Sequence, residues 1–182
     1  MEGLGTLVVL RGNSGSGKST VARMLQAKFE RATCLVVPQD RIRRDMLREL
    51  PVAGGANIEL IESIAMWGLQ RDMVVVVEGI FNVRRYEAML NRVASCAARS
   101  FFFAWDLEFD ETARRHGQRP QREDFTVEEM ADWYHGWQPL SFVQETRFDA
   151  SVSADQAVSA ISRELSTAGW VSNIWSPEIH AR

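Results

Sequence analysis

The sequence predicts an α/β fold of three layers built on a parallel sheet. Three observations point there. The glycine-rich stretch Gly12-Asn13-Ser14-Gly15-Ser16-Gly17-Lys18-Ser19-Thr20 stands between an apolar run at 6–10 and a helical pattern in Val21, Met24, Leu25 and Phe29. Short apolar runs then alternate with stretches of helical period, as strand–helix–strand units require. Two of those runs end beside an acid, Asp40 and Glu78, at the edge where open parallel sheets bind ligands.

After the first helix, residues 33–37 form a second short apolar run that stops at Pro38. Asp40 is placed to cap a helix running through Ile42, Met46, Leu47 and Leu50. The Pro- and Gly-containing segment 51–56 breaks the pattern, and Ile58, Ile61, Ile64, Ala65 and Leu69 resume it at helical spacing. Residues 73–77, Met followed by four valines, read as a central strand buried on both faces, ending in Glu78-Gly79. Gly79 leaves room for a close approach. Tyr86, Met89, Leu90 and Val93 mark a helix, 100–105 a fourth strand, and 109–116 a short helix with an acidic start and a basic end. Thr126 to Glu129 is a capping box. Residues 147–152 supply a weaker fifth strand, and Ser153 caps a last helix through Val158, Ile161 and Leu165. Residues 1–182 are expected to form one domain, with an inserted lid at about 114–126 and a tail at 170–182 of no clear period.

A net charge of −3 provides no whole-protein field for a polyanion, so a nucleic-acid partner is not favoured. Cys34 and Cys96 lack metal-type spacing and are expected to be buried thiols. No run reaches transmembrane length; a cytoplasmic enzyme is the expectation.

The pattern G-x-x-x-x-G-K-[ST], here Gly12 to Ser19, has a chemical reading in this context. Its glycines let successive N–H groups converge on a phosphate, and the helix that follows adds its positive end. Lys18 reaches the outer phosphates and the Ser19 hydroxyl can ligate Mg²⁺. The whole of Gly12 to Thr20, with Arg114 beyond, is assigned to nucleotide binding. Asp40 is either a helix cap or a carboxylate that accepts a hydroxyl proton during phosphoryl transfer. Arg43, three residues on, lies on the same helix face. Glu78 is in position to approach Mg²⁺, with Ser19 as the other metal residue. Arg114, Arg115, Arg119 and Arg122 are candidates for a clamp over transferring phosphates, with Arg119 and Arg122 placed among the catalytic residues.

These residues, with Gln39-Asp40-Arg41-Ile42-Arg43, then Val77-Glu78-Gly79-Ile80-Phe81-Asn82, then the arginine-rich segment before Met130-Ala-Asp-Trp-Tyr134, resemble P-loop kinases of the polynucleotide-kinase-like group. The order of features is also similar to that of chloramphenicol phosphotransferase and, more loosely, the zeta-toxin kinases. The resemblance implies the P-loop kinase fold, a five-stranded parallel sheet in the order 2-3-1-4-5, with ATP as donor and Mg²⁺ as cofactor. It implies Asp40 as general base and Arg43 as a ligand for a substrate phosphate. Glu78 departs from the aspartate of polynucleotide kinase.

The expected activity is ATP-dependent phosphorylation of a hydroxyl on a small molecule. A 5′-hydroxyl polynucleotide or nucleoside kinase is the alternative, motivated by Arg41, Arg43, Arg44 and Arg48. A nucleotide-binding regulatory module without transfer is the second alternative.

Overall fold

The computed structural model describes residues 4–117 and 126–167. β1 (Leu4–Gly12) leads through the glycine loop into α1 (Lys18–Gln26). β2 (Cys34–Pro38) is followed by the short α2 (Gln39–Arg41), a π-helical turn at Ile42–Met46, and α3 (Ala56–Leu69). β3 (Val74–Gly79), α4 (Val83–Cys96) and β4 (Ala97–Trp105) continue the alternation. Then come α5 (Phe109–Gly117), α6 (Val127–Trp133), β5 (Thr146–Phe148) and α7 (Ala154–Thr167). The five strands form one sheet in the order β2-β3-β1-β4-β5, every pair parallel, as the resemblance implied.

Strand alternation sorts the core into two halves. Leu7, Val9, Val75 and Val77 point to one face and pack with Ile61 and Leu69 of α3 and Met89 and Val93 of α4. Val8, Leu10, Val74 and Val76 point to the other and pack with Val21 and Leu25 of α1 and Ile161 and Leu165 of α7. This makes the layers helix, sheet, helix. Every residue of β3 is buried, which is why it shows no polar alternation in sequence. β5 pairs only with Phe103 to Trp105, and Phe148 stacks on Phe103 with ring centroids 5.7 Å apart.

The register brings the functional ends together. Leu10 and Pro38 both lie beside Glu78, and Gly12 lies beside Trp105. The glycine loop, the start of α2 and the end of β3 therefore share one sheet edge.

Two expectations need correction. Asp40 does not cap a helix reaching Leu50. Pro38 is the cap, and Asp40 lies within the first turn. The Leu47 N–H bonds to the Ile42 carbonyl five residues back, and Arg48 takes φ of 51°, which stops the helix. The Glu49 carboxylate then accepts from the N–H groups of Ala56 and Asn57 at 2.6 and 3.0 Å, redirecting the chain into α3. Met46 and Leu50 are exposed as a result. Cys34 is buried, and its burial pushes the thiol up to about 12. Cys96 is exposed at the C-terminal end of α4, where β4 starts at the next residue.

Among the described residues, no helix is long and apolar enough to cross a membrane.

Candidate nucleotide and acceptor site

The glycine loop is shaped by backbone that L side chains resist. Gly15 has φ of 81° and Gly17 of 101°, both left-handed. A Cβ on Gly15 would also stand 2.4 Å from the Thr112 carbonyl oxygen, so α5 packs directly on the loop. Gly17 caps α1 without any side-chain hydrogen bond to the helix start. The Thr20 and Val21 N–H groups bond to the Gly17 carbonyl, which leaves those of Lys18 and Ser19 at the head of α1 to face an anion. Lys18 is buried, and its Nζ donates to the Asn13 carbonyl at 2.8 Å and to Ser16 Oγ at 3.0 Å. Its ammonium is held over the loop, where phosphates would lie.

Glu78 is also buried. Burial pushes its carboxyl above the usual range, while the Lys18 charge and a hydrogen bond with the Ser19 side chain act in the opposite direction. The charge of Asp40 adds to the upward push. Lys18, Ser19, Glu78 and Asp40 therefore form one electrostatic group, although 60 residues separate Lys18 from Glu78.

Asp40 stands where this group meets a cleft of about 880 Å³. Its Oδ1 accepts from Arg43 Nη2 and from Arg44 Nε, both at 3.0 Å. Arg43 Nη1 donates to the Glu49 carbonyl at 2.9 Å, and the Arg44 guanidinium lies 4.8 Å from the centroid of the Trp133 ring. Arg48, Arg84, Arg85, Tyr134 and His135 also line the cleft. Arg48 and Arg84 have no ion-pair partner among the described residues. Asn82 caps α4 by accepting from the Arg84 N–H at 3.1 Å, and it too faces the cleft.

Behind Asp40 a polar chain crosses the core. Gln39 Nε2 donates to the Tyr86 hydroxyl at 3.1 Å, the hydroxyl donates to Asn57 Oδ1 at 2.8 Å, and Asn57 Nδ2 donates to Glu49 at 2.6 Å. The space in front of Gly79 is filled by Gln39, not left open to a ligand: a Cβ there would be 2.6 Å from that of Gln39.

The structure thus gathers Lys18, Ser19, Asp40, Arg43 and Glu78 at one sheet edge. Arg114 lies apart, in an exposed ion pair with Glu111 at 2.8 Å. Its neighbour Arg115 shares Glu111, donates to the Ala150 carbonyl at 2.9 Å and approaches the Ser16 carbonyl at 3.4 Å. The two guanidinium groups hold the Glu111 carboxyl down to about 2. Arg119 and Arg122, like the rest of the expected lid and the tail, fall outside the described residues. Sequence reasoning missed Arg11, Asn57 and Glu145, each buried. Arg11 left a faint signal, a charge at the end of an otherwise apolar strand.

Residues 4–112 match the model of a known family, adenylylsulphate kinase. That stretch is more than half the chain and includes the glycine loop, Asp40 and Glu78. The chain belongs to the adenylylsulphate kinase family. Membership makes it an ATP-dependent phosphotransferase. Solved structures share the fold of this family member. The Mycobacterium tuberculosis APS kinase CysC, in complex with AMPPNP and APS, superposes with a TM-score of 0.67 at 19% identity, over 90% of this chain and 99% of that one. A gluconokinase from Sinorhizobium meliloti 1021 gives 0.61 at 17% identity, over 93% and 98%. The tunicamycin resistance protein of Deinococcus radiodurans gives 0.60 at 13% identity, over 94% and 99%. No curated protein matches the sequence at a significant level.

Proposed function

We propose that this kinase transfers the γ-phosphoryl group of ATP to a hydroxyl on a small anionic molecule, with Asp40 as general base. The observation that carries the reading is the place of Asp40: it lines the cleft at the start of α2, just after Pro38, whose register partner is Glu78 at the end of β3. A carboxylate there can take the acceptor's proton as the oxygen attacks the γ-phosphorus. The bond from that phosphorus to the β–γ bridging oxygen breaks, and ADP leaves. Lys18 and the loop N–H groups offset the charge on the phosphates. Arg43 orients Asp40 through the 3.0 Å bond and is close enough to bind an anionic group of the acceptor.

Anionic acceptors are favoured by Arg48 and Arg84, cleft cations with no ion-pair partner among the described residues. The residues fit a Mg²⁺ ion, which takes few protein ligands beside phosphate oxygens and water. Ser19 at the start of α1 and the buried Glu78 carboxylate at the end of β3 would hold it. When bound, it supplies charge neutralisation between the β- and γ-phosphates. Arg119 and Arg122, with Arg114 and Arg115 on α5, are the candidates for the clamp on the transferring group.

The test is acceptor-dependent ADP release with adenylylsulphate, the acceptor in the name of the family, and gluconate, suggested by the gluconokinase of like fold, followed by Asp40→Asn on the best acceptor. Turnover is expected to fall by about 10²–10⁴-fold. Full transfer by the variant would remove Asp40 as base. Labelling of a 5′-hydroxyl oligonucleotide in preference to the small acceptors would move the acceptor class to nucleic acid. Binding of ATP without any acceptor-dependent turnover would count against transfer altogether.

A further inference from the structure

The end of β1 carries a buried cation that the phosphate-binding chemistry does not use. Arg11, one residue before Gly12, is 4% exposed. Its Nη1 donates to both carboxylate oxygens of Glu145 at 2.6 Å, and the Glu145 side chain is 1% exposed. Its Nη2 donates to the carbonyls of Phe81 and Gln138, each at 3.1 Å. One guanidinium thus joins β1 to the turn between β3 and α4 and to the 134–145 crossover from α6 towards β5.

Those two segments build one wall of the acceptor cleft. Ile80 and Asn82 flank Phe81, and Tyr134 and His135 stand at the head of the crossover. The segments are tied to each other, since the Val83 N–H donates to Gln138 Oε1 at 3.2 Å. The crossover is also tied to the glycine loop, since the His135 N–H donates to Asn13 Oδ1 at 3.3 Å.

A second observation extends the joint. Arg11 Nε and His135 Nε2 are both buried without a hydrogen-bond partner among the described residues. Both residues line one small cavity of about 10 Å³ beside Gly12 and Asn13. His135 Nδ1 lies 3.0 Å from the Gly136 carbonyl; in the tautomer that donates to this carbonyl, Nε2 is an acceptor. Such a space takes one water, able to accept from Arg11 and donate to His135.

A buried ion pair is not by its charge alone a source of stability, because apolar residues of similar volume often replace one without loss. What an apolar pair lacks is the directional hold of one planar cation on several backbone segments. We propose that Arg11 is a positioning residue for phosphoryl transfer: together with Glu145 it sets the distance between the glycine loop and the acceptor wall. The inference rests on the proposed transfer reaction, whose rate depends steeply on such a distance, about 10²-fold for a misplacement near 1 Å.

The test uses Arg11→Lys, which keeps the charge but not the fork, and the apolar double variant Arg11→Met/Glu145→Leu, which keeps the volume. Thermal unfolding, ATP KM, acceptor-dependent kcat and amide exchange in 80–83 and 134–145 are measured for each. The double variant leaves the Phe81 and Gln138 carbonyls and the Leu140 N–H without their side-chain partners, so it is expected to unfold at a lower temperature than wild type while staying folded at the assay temperature. Its ATP KM should stay within about threefold while kcat drops by about 10²-fold, with faster exchange in both segments. Wild-type kcat in the double variant would overturn the proposal, and so would a loss confined to ATP affinity. Wild-type protein that transfers to no acceptor would sink the proposed reaction instead. In that case exchange still decides: unchanged protection in both segments overturns the joint, and selective loss there supports it.

Discussion

Arg43 holds Asp40 with one arm and the chain beyond it with the other: Nη2 donates to Asp40 Oδ1 at 3.0 Å and Nη1 to the Glu49 carbonyl at 2.9 Å. Arg44 uses the same Oδ1. Both contacts fall on one oxygen, so neither arginine occupies Oδ2, the oxygen that would meet the proposed acceptor hydroxyl. The carboxylate is half exposed to the cleft and still oriented.

Arg43→Lys should therefore cost more than a surface ion pair. A lysine cannot span both acceptors, because its donors radiate from one nitrogen. Acceptor-dependent kcat is expected to fall about 10-fold or more, with ATP affinity kept. Unchanged steady-state kinetics would show that Arg43 does not orient Asp40.

Glu78 ties pH to stability. Its carboxyl is raised by burial above the ordinary 4.5. The folded state therefore holds that proton more tightly than the unfolded chain does. The stabilising contribution is complete below 4.5 and is lost as pH rises through the raised folded value. Glu78→Gln should abolish this loss, so the nucleotide-free variant is expected to be the more heat-stable protein at pH 7–8, by about 2–4 °C for each kcal/mol gained. Scanning the melting temperature from pH 4 to 8 checks the sign, and the same variant is expected to lose Mg²⁺-dependent turnover.

Gly79→Ala tests the close packing of β3 on Gln39. The new Cβ would lie 2.6 Å from Gln39 Cβ and 2.8 Å from its Oε1. Relief requires moving Gln39, the residue before Asp40, so activity should fall along with stability. Overpacking of this kind costs about 1–3 kcal/mol, readable by urea denaturation.

Tyr86→Phe removes the hydroxyl that links Gln39 to Asn57. Both amides are buried and would lose a partner, at about 1–3 kcal/mol. Chemical denaturation measures the cost. A neutral result would mean that water enters to replace the hydroxyl.

Arg48→Ala and Arg84→Ala should raise the KM of an anionic acceptor by about 10-fold each, since hydrogen bonds to charged groups are worth about 1.5–3 kcal/mol. The KM of ATP should hold. The wild-type acceptor KM should itself rise with salt. An acceptor KM indifferent to both arginines and to salt would point to a neutral acceptor.

Among these residues, those legible in sequence share a physical basis. The glycine loop is a local backbone shape, and its glycines, lysine and serine lie within nine consecutive positions. The apolar runs report burial by composition, and the capping box at Thr126 reports a helix start from four neighbouring residues. Parallel β-α alternation places strand ends on one edge, which is why Asp40 and Glu78 could be paired without coordinates. The same local reasoning overran at Leu50, where helical spacing continued past the point at which Arg48 turns and Glu49 caps the next helix.

Sequence alone determined the chemistry at the donor end and the order of layers, because both follow from short-range pattern and from the period of side-chain direction. Only the tertiary structure decided the contacts that set distances across the site. Arg11 meets Glu145 across 134 residues, Gln39 meets Tyr86 across 47, and His135 meets Asn13 across 122. No local pattern announces such a pairing. It arises when the sheet order brings the ends of β1 and β3 and the crossover before β5 within hydrogen-bond reach, and a buried donor must then be satisfied by whatever acceptor the fold delivers.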